Sequence, residues 1–153
     1  MSAHELAVRH EVVVGLDQES AFELFTAHIG RWWPMATHSV FGAGGSVAFE
    51  GDGGAGTAWT RVVERHPDRP PATWAEVVEW EAPDRLRLAW HAGTLQEEAT
   101  DLLVVFGAEG TMTRVALEQT AWERPHDRDQ ALATYEEEWP EVMSHFVEAA
   151  VPA

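Results

Sequence analysis

The chain has 153 residues and contains neither cysteine nor lysine. Without cysteine it can form no disulfide bond, no thiolate metal site and no cysteine nucleophile. Without lysine it cannot form a Schiff base with a carbonyl substrate. These two absences exclude several classes of enzyme before any motif is considered.

Long apolar runs are also missing from the chain. No stretch approaches the ~20 consecutive apolar residues that a membrane-spanning helix needs. Residues 1–14 lack the basic and then apolar pattern of a signal peptide. We therefore expect a soluble, cytoplasmic protein, and the length suits a single domain over residues 1–153.

Positive charge is scarce, because 10 arginines stand against 26 aspartates and glutamates for a formal net charge of -16. A surface of this kind repels nucleic acid and anionic lipid headgroups. We therefore predict that the protein binds no nucleic acid and no membrane. The acidity is typical of high solubility, and a basic protein partner is the alternative interpretation.

The histidines, serines and glycines form no recognisable catalytic or metal-binding motif. The 8 histidines include no H-x-x-x-H or H-x-E pair, whereas a zinc site needs several converging ligands. No serine lies in a G-x-S-x-G elbow, and the glycine-rich residues 42–56 lack the lysine of a phosphate-binding loop. The carboxylates of residues 136–138 are predicted to lie on a solvated helix face. The sequence thus predicts no metal, no cofactor and no catalytic residue.

Wide aromatic side chains are abundant, with 8 tryptophans and 6 phenylalanines against 1 tyrosine. Two tryptophans stand together at Trp32-Trp33-Pro34, behind a short predicted helix, and the pattern returns as Trp139-Pro140. Such rings line a cavity as readily as they fill a core. The sequence leaves both possibilities open.

The apolar spacing predicts strands and a short helix over most of the chain. Residues 6–14 form the first strand, followed by a helix that Asp17 caps and Gly30 closes. A short edge strand is predicted around residues 47–49, and residues 67–71 are predicted to be a turn. The remaining strands are predicted at residues 57–64, 74–81, 85–91, 100–106 and 111–122.

A final helix is predicted to begin after Asp127 and to carry one long apolar stripe. Pro140 interrupts this stripe, which predicts either a kink or a fresh helix starting near the proline. The tight turns between strands predict an antiparallel sheet, which the long helix must cover. We therefore predict an α+β fold in which a curved antiparallel sheet wraps around the C-terminal helix, with a short helical segment after the first strand.

Several segments, taken in order, resemble the SRPBCC superfamily, and most closely its branch named for the activator of heat-shock-protein-90 ATPase homologue. They are residues 21–26, 31–34, 53–54, 82–90, 110–118 and 135–139, with Val142 and Phe146. The resemblance implies a helix-grip fold (START-like, birch-pollen-allergen-like) with a hydrophobic cavity between the sheet and the long helix. The chain departs from the pattern at Glu138, where such proteins often have glycine, and at Gln119, where they often have histidine.

Strand alternation and the resemblance together suggest ligand-binding residues. In residues 85–91 the alternation predicts that the apolar side chains, including Trp90, point inward and that His91 points outward. Gln119 is predicted on an apolar wall, where its amide needs a ligand, a buried water or a backbone carbonyl as partner. His38 is predicted as a polar group at the cavity mouth. The candidate ligand-binding residues are Trp33, His38, Trp90, Gln119, Tyr135, Trp139, Met143 and Phe146.

Three functions stay open at this point. The leading hypothesis is non-catalytic binding of a small hydrophobic or aromatic molecule between the sheet and the C-terminal helix, by a monomer or homodimer. The second is a chaperone ATPase activator-like interaction module, suggested by the resemblance and the acidic surface. The third is a polyketide cyclase/aromatase-like enzyme, which needs a titratable group in the cavity, and the inward-facing candidates are Gln119, Tyr135 and His10.

Overall fold

The computed structural model describes residues 7–51, 59–122, 124–125 and 127–151. Leu6, Gly53, Gly54 and residues 57–58, which entered the predictions above, lie outside these ranges. The strands β1 to β7 are Val8–Val14, Ser46–Glu50, Arg61–His66, Arg69–Glu81, Arg85–Trp90, Thr100–Glu109 and Met112–Thr120. The helices are α1, Gln18–Phe25, and α2, Arg128–Ala149, with 3₁₀ turns at Ile29–Arg31 and Gln96–Glu98.

The seven strands form one antiparallel sheet in the order β1-β7-β6-β5-β4-β3-β2. Each strand from β2 to β6 pairs with the next strand in sequence, and β1 joins the far edge beside β7. This curved sheet with α2 against it confirms the predicted helix-grip fold. Because β1 and β2 lie on opposite edges, the connection between them crosses a face of the sheet. That crossing carries α1 and the paired tryptophans to the interior beneath α2.

The first helix is shorter than the sequence predicts. Asp17 caps it as predicted, with its Oδ1 2.8 Å from the backbone nitrogen of Ser20, but the helix ends at Phe25. Gly30 therefore does not close it. Gly30 lies in the following 3₁₀ turn, where a Cβ atom would stand 2.9 Å from the carbonyl oxygen of Val47. Glycine at this position permits the close approach of the turn to β2.

The second helix runs through Pro140 as one element of 22 residues. The predicted alternative of a fresh helix at the proline is therefore wrong. Buried side chains lie on both sides of it, Trp139 before and Val142, Met143 and Phe146 after. Their burial offsets the ~3 kcal/mol that an internal proline costs a regular helix. Among the residues that the structure describes, no helix has the length and apolarity to cross a bilayer.

The predicted turn at residues 67–71 is wrong for its second half. Only residues 67–68 turn, and β4 begins at Arg69 and includes Pro70 and Pro71. The pairing of β4 with β3 is irregular opposite both prolines, between Glu64 and His66, and β5 reaches β4 no further than Ala75. Proline lacks a backbone N–H and is tolerated where one side of a strand has no neighbour. The two prolines occupy such a one-sided stretch.

The alternation predicted for β5 is correct until the strand ends. Leu86, Leu88 and Trp90 are buried, while Arg87 on the other face forms an ion pair with Asp101. His91 was expected to point outward and is instead buried, with its Nε2 atom 2.9 Å from a carboxylate oxygen of Glu76. Glu76 pairs with Ala89 on the face opposite to that of Leu88 and Trp90, so His91 is buried on the outer face of the sheet through its contact with Glu76.

Candidate functional site

The site begins at an irregularity between β3 and β4. Val62 pairs with Ala75 and Val63 with Thr73, which leaves Trp74 as the extra residue of a β-bulge. A bulge re-aims nearby side chains and breaks strict alternation. In agreement, the three consecutive residues Val62, Val63 and Glu64 are all buried. The indole Nε1 of Trp74 donates to Oε1 of Glu64 at 3.0 Å.

Glu64 is a fully buried carboxyl group that ties a loop to the sheet. Its Oε1 also accepts from the backbone nitrogen of Val40 at 2.8 Å, and its Oε2 accepts from that of Phe41 at 3.2 Å. These bonds hold the loop that follows the paired tryptophans. Sequence reasoning missed Glu64, although its spacing of two residues from the buried Val62 could have placed it on the inner face of β3.

Five aromatic rings meet next to this anchored loop, and we call Trp33, Trp74, Trp90, Tyr135 and Trp139 the aromatic cage. The ring centroid of Trp33 lies 5.1 Å from that of Trp74, 5.8 Å from that of Trp90 and 6.1 Å from that of Trp139. Tyr135 stacks on Trp139 with centroids 6.0 Å apart. The rings come from the crossing segment, β4, β5 and α2, so the cage depends on the tertiary fold.

The tryptophans of the cage direct their indole N–H groups to protein acceptors. Trp33 donates to the carbonyl oxygen of His38 at 2.6 Å, and Trp90 donates to the hydroxyl oxygen of Tyr135 at 3.0 Å. Trp139 donates to Oε1 of Gln119 at 2.7 Å, and Trp74 is bonded to Glu64 as described above. Because these donors are engaged, the tryptophans offer carbon surface for contact with a ligand.

The hydroxyl group of Tyr135 is an exception to this apolar character. It accepts from Trp90, but it donates to no acceptor among the described residues. Burial raises the pKa of Tyr135 to about 12, which outweighs the opposite effect of the hydrogen bond from Trp90. The hydroxyl group therefore keeps its proton at neutral pH and can donate it to a ligand.

A cavity of about 330 Å³ lies beside the cage. Its walls come from the loop after Trp33, the turn after β5 and the first half of α2. Small-molecule sites span about 300 to 1,000 Å³, so this cavity suits a compact ligand. Besides the cage, its lining consists of Thr37, His38, Ser39, Val40, Ala92, Gly93, Thr94, Ala131, Thr134, Glu138 and Val142.

The structure brings together part of the predicted site. Trp33, His38, Trp90, Tyr135 and Trp139 all line the cavity.

The other predicted residues, Gln119, Met143 and Phe146, are fully buried outside the lining. Gln119 has protein partners for its amide, since its Nε2 donates to the hydroxyl oxygen of Thr100 at 2.8 Å and its Oε1 accepts from Trp139. Gln119 therefore contacts the cage through Trp139 and does not line the cavity.

Besides Tyr135, the ionisable groups in the lining of the cavity are Glu138 and His38. The solvated face predicted for residues 136–138 is correct for Glu136 and Glu137, which are exposed, but wrong for Glu138, which is partly buried in the lining. Burial raises the pKa of Glu138, Glu137 adds to this effect, and His38 opposes it. The helical spacing of Glu138 from Val142 could have placed it on the inner face.

Solved structures of other proteins have the same fold. The chain is 26% identical to an anthrahydroquino-γ-pyrone synthase, Txn09, with 97% of this chain and 99% of that chain covered and a TM-score of 0.62. It is 20% identical to CalC, a self-sacrificing resistance protein from Micromonospora echinospora, covering 96% and 95% of the two chains with a TM-score of 0.58. The Aha1 dimer from Colwellia psychrerythraea is 16% identical, with 95% and 96% covered and a TM-score of 0.59.

The likenesses to CalC and to the Aha1 dimer, at 20% and 16% identity, establish the fold alone. No curated protein matches the chain in sequence. A sequence model of the family described as "Activator of Hsp90 ATPase homolog 1-like protein" matches residues 16–150. That span begins before α1 and ends just after α2, so it includes every residue that lines the cavity. As its resemblance predicted, the chain belongs to the Activator of Hsp90 ATPase homolog 1-like family.

Proposed function

We propose that the protein binds a small, largely aromatic molecule in the cavity beside the aromatic cage. The observation that carries this proposal is the cage itself, whose indole N–H groups are engaged by protein acceptors while its rings border a cavity of about 330 Å³. Burying a flat apolar ligand against such rings is favourable at roughly 25 cal/mol per Å² of apolar surface.

The free donor of Tyr135 adds a requirement on the ligand. Two other hydroxyl groups of the lining already donate to protein acceptors, Ser39 to the carbonyl oxygen of Met35 at 2.7 Å and Thr94 to that of His91 at 3.1 Å. We therefore propose that the ligand carries a hydrogen-bond acceptor, such as a carbonyl, ether or hydroxyl oxygen, within reach of Tyr135.

Filling the cavity with a protein side chain tests this proposal. Ala131 lines the cavity, whereas Ala133 on the same helix is exposed. We expect 4-tert-butylbenzyl alcohol to quench the indole fluorescence of the wild type and of Ala133→Trp. We expect Ala131→Trp to weaken this binding by about tenfold or more, because its indole occupies the ligand's space.

Two results would contradict the proposal. One is that neither this probe nor larger neutral aromatic alcohols bind saturably to the wild type. The other is equal affinity in the Ala131→Trp and Ala133→Trp variants, with both shown to be folded by their thermal transitions.

A cyclase-like enzyme is a second candidate, favoured by the 26% identity to the pyrone synthase over nearly the whole of both chains. The cavity also holds groups that could move a proton, the hydroxyl of Tyr135 and the carboxyl of Glu138. In this case Tyr135→Phe is expected to abolish turnover of an aromatic polyketide substrate, a larger effect than the loss of one hydrogen bond from probe binding. Wild-type turnover in both Tyr135→Phe and Glu138→Gln would remove the candidate.

We do not propose chaperone binding for this chain. Its support is the description of the family together with the formal net charge of -16, and neither identifies a docking surface among the described residues.

A further inference from the structure

We propose that the molecule bound beside the aromatic cage is a cation, an aromatic compound whose amine or quaternary ammonium group lies against Glu138. This inference rests on the proposed function and adds the charge of the ligand to it. It follows from the charges around the cavity, from the chemistry of the cage and from the position of Glu138 on α2.

The charges that line the cavity favour a cation. The lining contains the carboxyl group of Glu138 and the imidazole of His38, and none of the 10 arginines of the chain belongs to it. Several arginines are instead held on the outer surface by carboxylates, as in Arg65 with Glu50 and Arg114 with Glu11. An anionic ligand would therefore meet no guanidinium group, and it would lie beside a carboxylate.

The cage itself has the chemistry that attracts a cation. The face of an indole ring carries the negative end of its quadrupole, and a cation near such faces is stabilised, most strongly by tryptophan. Here the tryptophans pack directly on one another, with the centroids of Trp33 and Trp90 5.8 Å apart and those of Trp90 and Trp139 5.7 Å apart, and the ring surface that stays uncovered borders the cavity. Their N–H groups, which would repel a cation, donate to protein acceptors.

Glu138 supplies the full charge that complements this cage. It lies on α2 one residue before the cage member Trp139, and it is partly buried in the lining. A charge pair that is partly removed from water is screened less than one on the open surface. Glu137 next to it is exposed, so it adds to the general negative field of the surface without taking part in the lining.

Three probes of nearly equal shape separate charge from size. They are 4-(hydroxymethyl)phenyl-trimethylammonium, the neutral 4-tert-butylbenzyl alcohol and 4-(hydroxymethyl)benzenesulfonate, each measured at pH 8 by isothermal titration calorimetry. We expect the ammonium probe to bind about tenfold more tightly than the neutral probe, because it gains the carboxylate and the ring faces. The sulfonate is expected to bind at least about tenfold more weakly than the neutral probe.

Two matched variants locate the source of this preference. Glu138→Gln keeps the shape of the side chain but removes its charge, so we expect the preference for the ammonium probe to fall below about threefold. Its affinity for the neutral probe is measured in parallel, so that a general loss of binding is separated from a loss of the charge preference. Glu137→Gln removes an equal charge from the neighbouring exposed position, and we expect it to leave the preference within about twofold of the wild type.

The possible results distinguish this inference from the proposed function. If the neutral probe binds and the ammonium probe binds no more tightly, the inference is wrong while the proposed function stands. If both variants reduce the preference equally, the attraction belongs to the whole surface and the inference is also wrong. If none of the three probes binds to the wild type, the proposed function fails and the inference fails with it.

Discussion

Trp32 and Trp33 are neighbours in the chain, but they belong to two different aromatic regions. The ring of Trp32 packs against Phe25 and Phe146, with centroids 5.3 Å and 5.0 Å away. The ring of Trp33 packs against Trp74 and Trp90 and borders the cavity. The first region, which also includes Phe22 and Phe106, is a filled core, and the second is the wall of a cavity.

The difference comes from what covers each region. Helix α1 covers the filled core, and its buried residues Ala21, Phe22, Leu24 and Phe25 place apolar side chains into the space beneath it. The cage is covered instead by the loop after Trp33, which contributes small or polar groups such as Thr37 and Ser39 to the cavity. A regular helix presents an apolar face at every turn, whereas this loop does not. Equal aromatic content therefore yields solid packing on one side and a cavity on the other.

Truncation of the two tryptophans tests this comparison most directly. Trp32→Ala is expected to lower the free energy of unfolding by about 3–5 kcal/mol, because it opens a cavity in a filled core. Trp33→Ala is expected to cost less, since its ring already borders a cavity, and to abolish binding of the neutral aromatic probe. Urea unfolding and probe titration measure both effects.

The contrast between the two positions provides its own control. If Trp33→Ala proves as destabilising as Trp32→Ala, or if it keeps wild-type affinity for the probe, then the two regions do not differ as described.

A smaller loss in the free energy of unfolding is expected from a substitution of Glu64, whose carboxyl group anchors the loop over the cage. Its carboxyl oxygens accept from the backbone of Val40 and Phe41 and from the indole of Trp74. In Glu64→Gln one oxygen becomes an amide N–H₂ group that faces an N–H donor. We expect a loss of about 1–3 kcal/mol in the free energy of unfolding, together with faster hydrogen exchange of the amides of Val40 and Phe41. Glu50→Gln serves as control, because Glu50 is a partly exposed carboxylate of β2 that pairs with Arg65 and not with the loop. Equal exchange of the amides of Val40 and Phe41 in both variants would contradict the anchor.

The smallest expected effect is on the pH dependence of the free energy of unfolding. It comes from the proton of Tyr135, the only tyrosine of the chain. Burial raises its pKa to about 12 from the ordinary value of 10.0. Between these values the unfolded chain binds fewer protons than the folded one, so the free energy of unfolding falls as the pH rises from about 10 to about 12. Tyr135→Phe is expected to remove this contribution to the pH dependence.

The titration itself can be followed by the near-ultraviolet absorbance of the phenolate, because no other tyrosine contributes. We expect a midpoint near 12 in the folded protein and near 10.0 in denaturant. A midpoint of 10.0 in the folded protein would mean that the hydroxyl group is hydrated, and it would also weaken the proposed role of Tyr135 as a donor to the ligand.

Local patterns were sufficient to predict most secondary structure. Alternation placed Leu86, Leu88 and Trp90 inside, and the spacing of aromatic residues identified the buried face of the last helix. These predictions succeeded because a sheet or a helix with one apolar face must bury that face. They failed where neighbouring elements override the local signal, as with Gly30 against β2 and with the prolines of β4.

The site was predictable only in part, for a related reason. Trp33, His38, Trp90, Tyr135 and Trp139 could be chosen from the sequence because an inward face and a family resemblance indicated them. Trp74 could not be chosen, because it is the extra residue of a β-bulge and a bulge is a property of strand pairing.

The amino-acid sequence by itself determined the helix-grip fold, the acidic surface and the presence of a large aromatic interior, since these follow from periodicity, composition and turn residues. Only the tertiary structure decided which rings fill the core and which border a cavity. That division depends on whether a helix or an anchored loop lies over each group of rings, and residues distant in the chain settle it through packing.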